Sequence, residues 1–237
     1  MLNGGVFYLS VGMVLQSDEK KAKGLFVKDD LISNFADATH TKPYIEGKDI
    51  EAYKIERIRY LEWGTNRSPA LLRRPTFPEL YIYPKIMMGS MTSGIYDDTG
   101  LVSNHSVLIS TKWDNLALVD NKSINMSIGK YYGVKGDDIQ PIKDDLILNS
   151  KDFNIKYCLA ILNSSFAKRF FETIGRSSVG LYPDDVKKLP IKKIPLQEQE
   201  VFAQKVDELR EIKKDLLNQD TAKLEKELDD MVNKLYA

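Results

Sequence analysis

The sequence has almost none of the residues that build disulfide frameworks and metal centres. It contains one cysteine, Cys158, and two histidines, His40 and His105, among 237 residues. A single cysteine excludes an internal disulfide and a cysteine-based metal cluster, and two histidines are too few for the common histidine-rich zinc sites. This cysteine usage is typical of a reducing compartment, so we expect a cytoplasmic protein.

Long hydrophobic runs and a surplus of charge are also missing. No apolar stretch of the sequence approaches the ~20 residues that a membrane-spanning helix needs, and residues 1–16 lack the basic segment that opens a signal peptide. We therefore expect no membrane contact. Lys+Arg and Asp+Glu both number 34, so the formal net charge is zero. By itself, that value argues against a strongly basic nucleic-acid-binding protein.

The zero net charge divides into two regions of opposite sign. Residues 197–237 hold 7 basic and 11 acidic residues, a net charge of −4. Residues 1–196 hold 27 basic and 23 acidic residues, a net charge of +4. A mildly basic body is thus combined with an acidic C-terminal segment, and the overall balance does not exclude nucleic acid as a partner.

The order of predicted elements indicates an α+β fold. Short apolar, β-branched and aromatic segments predict strands through about the first 110 residues, and a further one at 147–148. In the strand expected over 55–63, the predicted inward positions are Ile55, Ile58, Tyr60 and Leu61. In the strand expected over 81–88, Pro84 predicts a sheet edge or a bulge.

Helices are predicted after Lys151. Residues 153–171 have apolar residues at helical spacing behind a candidate N-cap, Asp152, and a short helix is predicted at 183–189. From Leu196 onward, two apolar stripes recur every three or four positions, as in a helical hairpin or coiled coil. Either these helices lie on their own domain or they share a seam with another helix or chain, and the second interpretation is favoured.

We expect two regions on this basis. Residues 1–196 would form a mixed β-sheet domain, and residues 197–237 a C-terminal helical arm that acts as a spacer or docking element. The apolar pattern still runs at Ala237, which suggests a piece of a longer protein.

The sequence contains none of the common catalytic motifs. It lacks a Gly-rich phosphate loop and a Gly-x-Ser-x-Gly elbow. It also lacks two motifs of amino-methyltransferases, Asn/Asp-Pro-Pro-Tyr/Phe and Phe-x-Gly-x-Gly. Glu46-Gly47-Lys48, with Asp29 and Asp30 upstream, is compatible with a Mg²⁺-dependent nuclease. Such acid-x-Lys pairs are frequent when 29% of the residues are charged, so the nuclease is kept only as an alternative.

Basic and aromatic residues alternate between positions 53 and 113. Arginine pairs with phosphates or binds guanine through two hydrogen bonds, and loop serines and threonines contact phosphates or base edges. The mixture is compatible with DNA binding, although a charged, solvated face would show a similar pattern.

Five segments resemble the target recognition domains of bacterial and archaeal restriction-modification enzymes. In order, they are 43–50 followed by Tyr53, 84–88, 157–164, 189–191 with 195–199, and Leu235-Tyr236. The first is similar to a "P-hydrophobic-x-G-x-D-I…Y" motif and the third to "Y-hydrophobic-L-A-hydrophobic-L-N-S". The likeness runs from about residue 6 to the end, and the order of the segments makes the set more specific than any one of them. The nearest branch is the TaqI-like C-terminal specificity domain of type IIG and adenine-N6 methyltransferase proteins; type I specificity subunits are more distant.

This resemblance implies a non-catalytic domain that recognises a duplex DNA sequence through loops in the major groove. It also implies a methyltransferase or restriction catalytic domain, fused or separate, that flips an adenine and uses S-adenosylmethionine. No cofactor is expected in this chain. Because type I subunits have two recognition domains and this chain has room for one, a fused enzyme is favoured, and the chain alone should bind DNA weakly.

The candidate DNA contacts come from loops beside the matching segments. Those expected to contact bases are Arg73, Arg74, Lys85, Ser90, Thr92, Ser93, Arg176, Ser177 and Ser178. Those expected to contact the DNA backbone are Lys48, Lys54, Arg57 and Arg67. Two alternatives stay open: the Mg²⁺-dependent nuclease built on Glu46 and Lys48, and a module whose C-terminal helices bind a partner protein.

Overall fold

The computed structural model describes residues 1–74, 77–90, 93–176, 180–214 and 220–237, without the side chains of Arg74 and Ser90. The strands are β1 (Phe7–Val11), β2 (Val14–Ser17), β3 (Ile32–Ser33), β4 (His40–Ile45), β5 (Ile50–Glu51), β6 (Lys54–Ile55), β7 (Arg59–Glu62), β8 (Leu72–Arg74), β9 (Lys85–Ser90), β10 (Ser93–Asp97), β11 (Val102–Ser103) and β12 (Leu108–Lys112). The helices are α1 (Asn3–Val6), α2 (Lys122–Tyr132), α3 (Ile139–Ser150), α4 (Ile155–Leu162), α5 (Ser165–Thr173), α6 (Pro183–Val186), α7 (Leu196–Lys214) and α8 (Ala222–Leu235). The predicted α+β fold with C-terminal helices is confirmed. No helix in these ranges is long and apolar enough to cross a membrane.

The central sheet consists of four antiparallel strands in the order β1-β12-β9-β10. Successive side chains on a strand point to opposite faces. Phe7 and Leu9 therefore join one hydrophobic cluster, while Tyr8 between them joins another. Ile86 and Met87 of β9 divide in the same way. We call the cluster that contains Phe7 the helical cluster and the one that contains Tyr8 the sheet cluster.

The sheet cluster joins the central sheet to a second sheet, whose order is β11-β4-β7-β3. Tyr44 and Leu61 fill it from the second sheet, and Ile124 and Leu146 fill it from α2 and α3. A two-stranded ribbon of β2 and β8 and a short β5–β6 pair are separate from both sheets. Of the candidate DNA contacts, Arg73 and Arg74 lie on the ribbon, and Arg57 lies just before β7 of the second sheet.

The helical cluster packs α7 and α8 against α4. Seven of the eight residues of α4 are buried, and the apolar stripes contribute Phe202 and Val206 from α7 and Leu228 and Val232 from α8. The favoured expectation of a seam with another helix or chain is met by a helix at these positions, because α4 of the same chain packs against both stripes. The boundary between residues 196 and 197 stays a prediction, although residues on both sides of it share this cluster.

The strand predicted at 147–148 is wrong, because these residues lie in α3. The apolar residues that pack on the sheet cluster follow a helical spacing, at Ile139, Ile142 and Leu146. Leu148, in contrast, is exposed. The sequence pattern predicts neither α2 nor α3, since polar residues separate their few apolar positions.

Two details of the other strands also differ from the prediction. Pro84 precedes β9, and β9 lies between β12 and β10 rather than at a sheet edge. Near β7, Leu61 is buried as predicted, but Ile58 is exposed and Arg59 takes a buried position. Arg59 tolerates this burial because two carboxylates pair with it, as described below.

Residues 153–171 form two helices instead of one. Asn154, rather than Asp152, caps α4 by accepting a hydrogen bond from the Lys156 amide at 2.8 Å. Ser164 caps α5 by accepting one from the Ala167 amide at 3.2 Å. Because α4 ends at Leu162 and Ser164 already caps α5, the chain turns a tight corner at Asn163.

Asn163 joins this corner to the central sheet. Its Oδ1 accepts a hydrogen bond from the Gly94 amide at 2.7 Å, and its Nδ2 donates to the Gly94 carbonyl at 2.9 Å. Gly94 follows the irregular step in the β9–β10 pairing, where the ladder leaves backbone groups in need of partners. The Asn of the "L-N-S" motif therefore has a structural role here.

Gln199 and Tyr236, from two further matching segments, act in the same way. The Gln199 side chain is fully buried; it accepts from the Asn154 amide at 2.7 Å and donates to the Asp152 and Ile194 carbonyls, each at 2.8 Å. The Tyr236 hydroxyl donates to the Pro190 carbonyl at 2.9 Å. These side chains fix the loops that lead into the C-terminal helices.

Asn163→Ala is expected to lower the free energy of unfolding by about 1–3 kcal/mol, because it leaves the buried Gly94 amide without a partner. The Gly94 carbonyl keeps its bond from the Tyr53 amide at 3.0 Å, so a single group is orphaned. Urea denaturation measures the loss. Asn66→Ala, at an exposed position, is the control and should change stability by less than about 0.5 kcal/mol. Equal effects of the two variants would contradict the structural role of Asn163.

Candidate nucleic-acid interface

Two segments, 18–35 and 57–74, form a connected part of the surface that we call the basic face. β3 of the first segment pairs with β7 of the second, and β8 of the second segment pairs with β2, the strand that leads directly into the first. Side chains join them as well, since the Arg57 guanidinium donates to the Asn34 side-chain oxygen. The loops of both segments are therefore held on rigid strands, a suitable base for a binding surface.

Positive charge is concentrated on this face. The two segments contain 9 basic and 5 acidic residues, a net charge of +4. That surplus equals the net charge of residues 1–196, so the remainder of the body is balanced. Among the arginines of the two segments, Arg57 and Arg73 are exposed, Arg67 is partly exposed and Arg59 is buried, while only the backbone of Arg74 is described.

Arg73 projects from the outer side of the β2–β8 ribbon. Leu15 and Leu72 are buried on the inner side, while Gln16 and Arg73 are exposed. The Arg73 side chain is 48% exposed, and its ion pair with Glu19 is long, at 3.7 Å. Weak pairs of this kind contribute little to stability, so the guanidinium can exchange its partner for a ligand at low cost.

A lysine-rich loop lies beside the ribbon. Lys20, Lys21 and Lys23 are exposed, and the Asp18 carboxylate closes the turn by accepting the amides of Lys20 and Lys21, each at 2.9 Å. This loop is absent from our sequence-based candidates. The Lys-Lys-Ala-Lys run between two predicted strands was the available signal.

Arg67 has a structural role, because it pairs with a buried carboxylate. Arg67 forms two hydrogen bonds with the Glu62 carboxylate, and Glu62 is buried. Burial favours a higher pKa for Glu62, but the bonds from Arg67 and Thr65 outweigh it and hold the pKa below its usual value. Arg67 thus carries a fixed charge at the edge of the face.

The Glu46 carboxylate is the centre of a buried polar network beneath this face. One oxygen accepts hydrogen bonds from Lys28 at 2.9 Å and from the Tyr44 hydroxyl at 3.0 Å. The other pairs with Lys48 and Arg59, each at 3.2 Å. Three cations therefore surround a single carboxylate.

This arrangement bears on the nuclease alternative. A catalytic Mg²⁺ needs carboxylate oxygens that are open to it, whereas those of Glu46 are occupied by side-chain cations. In the described ranges, no three His, Cys, Asp or Glu side chains are placed to hold a metal ion. No observation favours Glu46 and Lys48 as a nuclease site.

The motif around Gly47 also has a structural explanation. The Asp49 carboxylate accepts hydrogen bonds from the Glu46 amide at 2.8 Å and from the Arg59 guanidinium at 2.6 Å. A Cβ at Gly47 would lie 2.6 Å from the Ser106 carbonyl oxygen, so the turn approaches the next loop too closely for any other residue. The glycine and the aspartate hold a tight turn between the two sheets.

Lys85, predicted to contact a base, lies in the interior, and that prediction is wrong. Its side chain is fully buried and pairs with Asp97. Its ammonium group also donates to the Tyr81 carbonyl at 3.2 Å. A DNA contact would require the side chain to leave the core, so Lys85 is part of the fold rather than of the interface.

The remaining candidates do not converge on one place. Arg57 and Lys48 are exposed. Lys48 lies next to the basic face, because it pairs with Glu46 beneath that face. Lys54 pairs with Glu56 at 2.6 Å in a cleft beside α7. Arg176 pairs with Asp185 at 2.9 Å and stacks on Tyr182, next to the helical cluster.

The last candidates are serines and a threonine. Ser93 begins β10 and is partly buried. Ser90 ends β9, and only its backbone is described. Thr92, Ser177 and Ser178 lie outside the described residues.

A search against protein-family models found no match, and neither did a search of curated proteins. The likeness to target recognition domains therefore stays a prediction from the sequence segments. The geometry of the basic face stands independently of it.

Proposed function

We propose that this chain is the non-catalytic specificity domain of a restriction-modification enzyme and binds a particular sequence of duplex DNA. The observation that carries the proposal is the basic face, where Arg73, Arg57 and the lysine loop project from rigid strands. Charge of this kind supplies affinity for phosphates, and arginine supplies selectivity for guanine.

The shape of the β2–β8 ribbon supports entry into the major groove. That groove is wide enough for a two-stranded ribbon. Gln16 and Arg73 lie on the outer side of the ribbon, and these residue types make bidentate contacts with adenine and guanine respectively. The lysine loop follows β2 directly, where phosphates beside the groove would lie, and Arg57 belongs to the same face through its bond to Asn34. We therefore assign base contacts to Gln16 and Arg73, and backbone contacts to Arg57 and the lysines.

A separate catalytic domain completes the proposed enzyme. The amino-methyltransferase motifs are missing from the sequence, so the S-adenosylmethionine chemistry and adenine flipping would belong to that partner, fused or separate. With a net charge of only +4 on residues 1–196, the chain alone should bind DNA weakly. Cytoplasmic location in a bacterium or archaeon follows from this assignment.

Selection from a pool of random duplexes, followed by fluorescence anisotropy across salt concentrations, tests the proposal. We expect one enriched motif and an affinity that falls linearly with the logarithm of salt concentration. Arg57→Ala should weaken binding to all duplexes and reduce the salt slope by about 1. Arg73→Ala should weaken the binding free energy for the enriched duplex by about 1–3 kcal/mol and relax the base preference at one position of the motif.

Arg169→Ala is the matched control, because it removes an exposed arginine that lies outside the basic face and is not among the candidate DNA contacts. It should leave both the affinity and the enriched motif unchanged. If the wild-type chain bound no duplex even at low salt, the proposal would fail for this chain. Binding without any enriched motif would remove the sequence-specific part of it.

A further inference from the structure

A groove runs along the outside of α2. It holds about 660 Å³ between α2 and the chain that follows this helix, and its lining includes Met126, Val134 and Ile139. Met126 is 64% exposed, although methionine is among the residues most often buried. Gly129 lets the two walls approach each other, because a Cβ there would lie 2.8 Å from the Val134 carbonyl oxygen. The groove therefore has an apolar floor that is open to solvent.

Positive charge predominates at the rim of this groove. Its charged lining residues are Lys122, Lys130, Lys135 and Asp120. Residues 137–138 add two exposed aspartates to the same turn, but they do not line the groove. A ligand lying in the groove would therefore meet three ammonium groups and one carboxylate.

Two of the three lysines have no partner of their own. Lys130 pairs with Asp184 at 3.0 Å, and both side chains are largely exposed. Lys122 and Lys135 pair with no carboxylate in the part of the chain that the structure describes. Most other charged side chains near the surface have a counter-ion within the chain, so this rim is suited to an acidic partner.

The outer face of α7 has the opposite charge. Within residues 197–211, which the structure describes completely, the exposed side chains are Gln197, Glu198, Glu200, Val201, Gln204, Glu208 and Glu211. Val201 is 50% exposed and is the single apolar residue among them. Neither Glu200 nor Glu208 forms an ion pair with a described residue. This face is acidic, with one apolar side chain available for contact.

The groove and the α7 face match in the spacing of their charges. Lys122 and Lys130 are eight residues apart on α2, as Glu200 and Glu208 are on α7, so each pair spans about 12 Å of helix axis. In an antiparallel arrangement, Lys130 would face Glu200 and Lys122 would face Glu208. Val201 would then lie over the apolar floor, between the two ion pairs.

We propose that the groove along α2 binds the outer face of α7 from a second copy of the chain. Another molecule is required, because these lysines and glutamates do not pair with each other within one chain. The occupant is a protein rather than DNA, since an apolar floor gains nothing from phosphates but gains from burial against Val201. The inference is independent of the DNA binding proposed above.

The geometry also sets the kind of association. The groove and the α7 face are different surfaces, so the contact is heterologous and joins the copies head to tail. A contact of about two helical turns is smaller than a standard protein interface, so the association should be weak.

Sedimentation equilibrium over a range of protein concentrations measures this association. We expect the average mass to rise above that of one chain, with a dissociation constant on the order of 10–500 µM. Lys130→Glu and Glu200→Lys each place like charges face to face and should weaken the association by roughly tenfold or more. Lys168→Glu, at an exposed helix position outside the groove, is the matched control and should associate as the wild type does.

Exchange of the charges separates a direct contact from damage to the fold. A mixture of Lys130→Glu chains with Glu200→Lys chains restores opposite charges across the contact, and so does the double variant. Both should associate as the wild type does. A wild type that stays monomeric at about 1 mM would overturn the inference, and so would a mixture no more associated than its components. If Lys130→Glu weakened binding to duplex DNA and left the association unchanged, the groove would hold phosphates and the inference would fail.

Discussion

Lys85→Met is expected to lower the free energy of unfolding by about 3–5 kcal/mol, because it leaves the Asp97 carboxylate charged and unpaired inside the protein. Lys85 is fully buried and Asp97 nearly so. Methionine fills a similar volume, so the loss would come from the charge rather than from a cavity.

The surroundings of Asp97 explain why its charge persists in the core. Burial favours a higher pKa for Asp97, but the charge and hydrogen bond of Lys85 and two bonds from Thr99 hold the pKa below its usual value. The Leu101 amide adds a further bond at 2.9 Å. Asp97 therefore orders the turn at 97–101 that joins β10 to β11, and Lys85 provides the charge that keeps it ionised.

A double variant separates the charge from the loss of the lysine itself. Lys85→Met combined with Asp97→Asn removes both charges and keeps most hydrogen bonds of the turn, so it should recover more than half of the lost stability. Urea denaturation near neutral pH measures both variants. A double variant no more stable than Lys85→Met alone would show that the unpaired charge is not the cause.

Lys85 also shows where sequence-based prediction of the site reached its limit. Lys85 was predicted to contact a base because it is a basic residue in a matching segment, and only the packing of β9 between β12 and β10 shows that its side chain is buried. Arg59 is a similar case, because alternation placed Ile58 inward and the network around Glu46 reversed that pattern. Burial of a charged group depends on partners that lie far away in the sequence, and a local pattern does not contain them.

Features set by local chemistry were predicted better. The helices after residue 151 and the buried stripes of α7 and α8 followed from apolar spacing, and Arg57 and Arg73 were recognised as exposed cations from their composition and loop context. The corner at Asn163 was missed, because two caps within ten residues divide one apolar pattern. Gln16 and the lysine loop were not among the sequence-based candidates, since an isolated glutamine or a short lysine run carries little signal until its neighbours are known.

Glu46→Gln should be the second strongly destabilising variant. We expect it to lower the free energy of unfolding by about 3–5 kcal/mol at neutral pH. The change preserves size and removes the negative charge shared by Lys28, Lys48 and Arg59. Asp49 would remain as the counter-ion of the buried Arg59 guanidinium. The turn at 46–49, which follows β4 of the second sheet and approaches Gly89 of the central sheet, would lose its fixed position.

The effect of Glu46 should depend on pH in a defined direction. Burial favours a higher pKa for Glu46, but hydrogen bonds from Lys28, Lys48, Tyr44 and Arg59 outweigh it and lower the pKa from its ordinary 4.5 to about 2. A carboxylate with a depressed pKa stabilises the fold above its unfolded-state pKa, and this contribution is lost as the pH falls towards the folded-state value. The stability difference between the wild type and Glu46→Gln should therefore shrink by about 3 kcal/mol between pH 5 and pH 2.

Other acidic groups titrate in the same range, so the comparison is made between variants rather than on the wild type alone. Glu56→Gln is the matched control: its partner is Lys54 at 2.6 Å, and the Glu56 side chain is 40% exposed, against 6% for Glu46. Exposed pairs contribute about 1 kcal/mol or less, so this variant should stay close to the wild type from pH 7 to pH 2. Urea denaturation at several pH values measures all three proteins. A difference between the wild type and Glu46→Gln that stays constant over this range would show that the three cations do not hold the Glu46 carboxylate ionised, and that the turn beneath the basic face depends on packing instead.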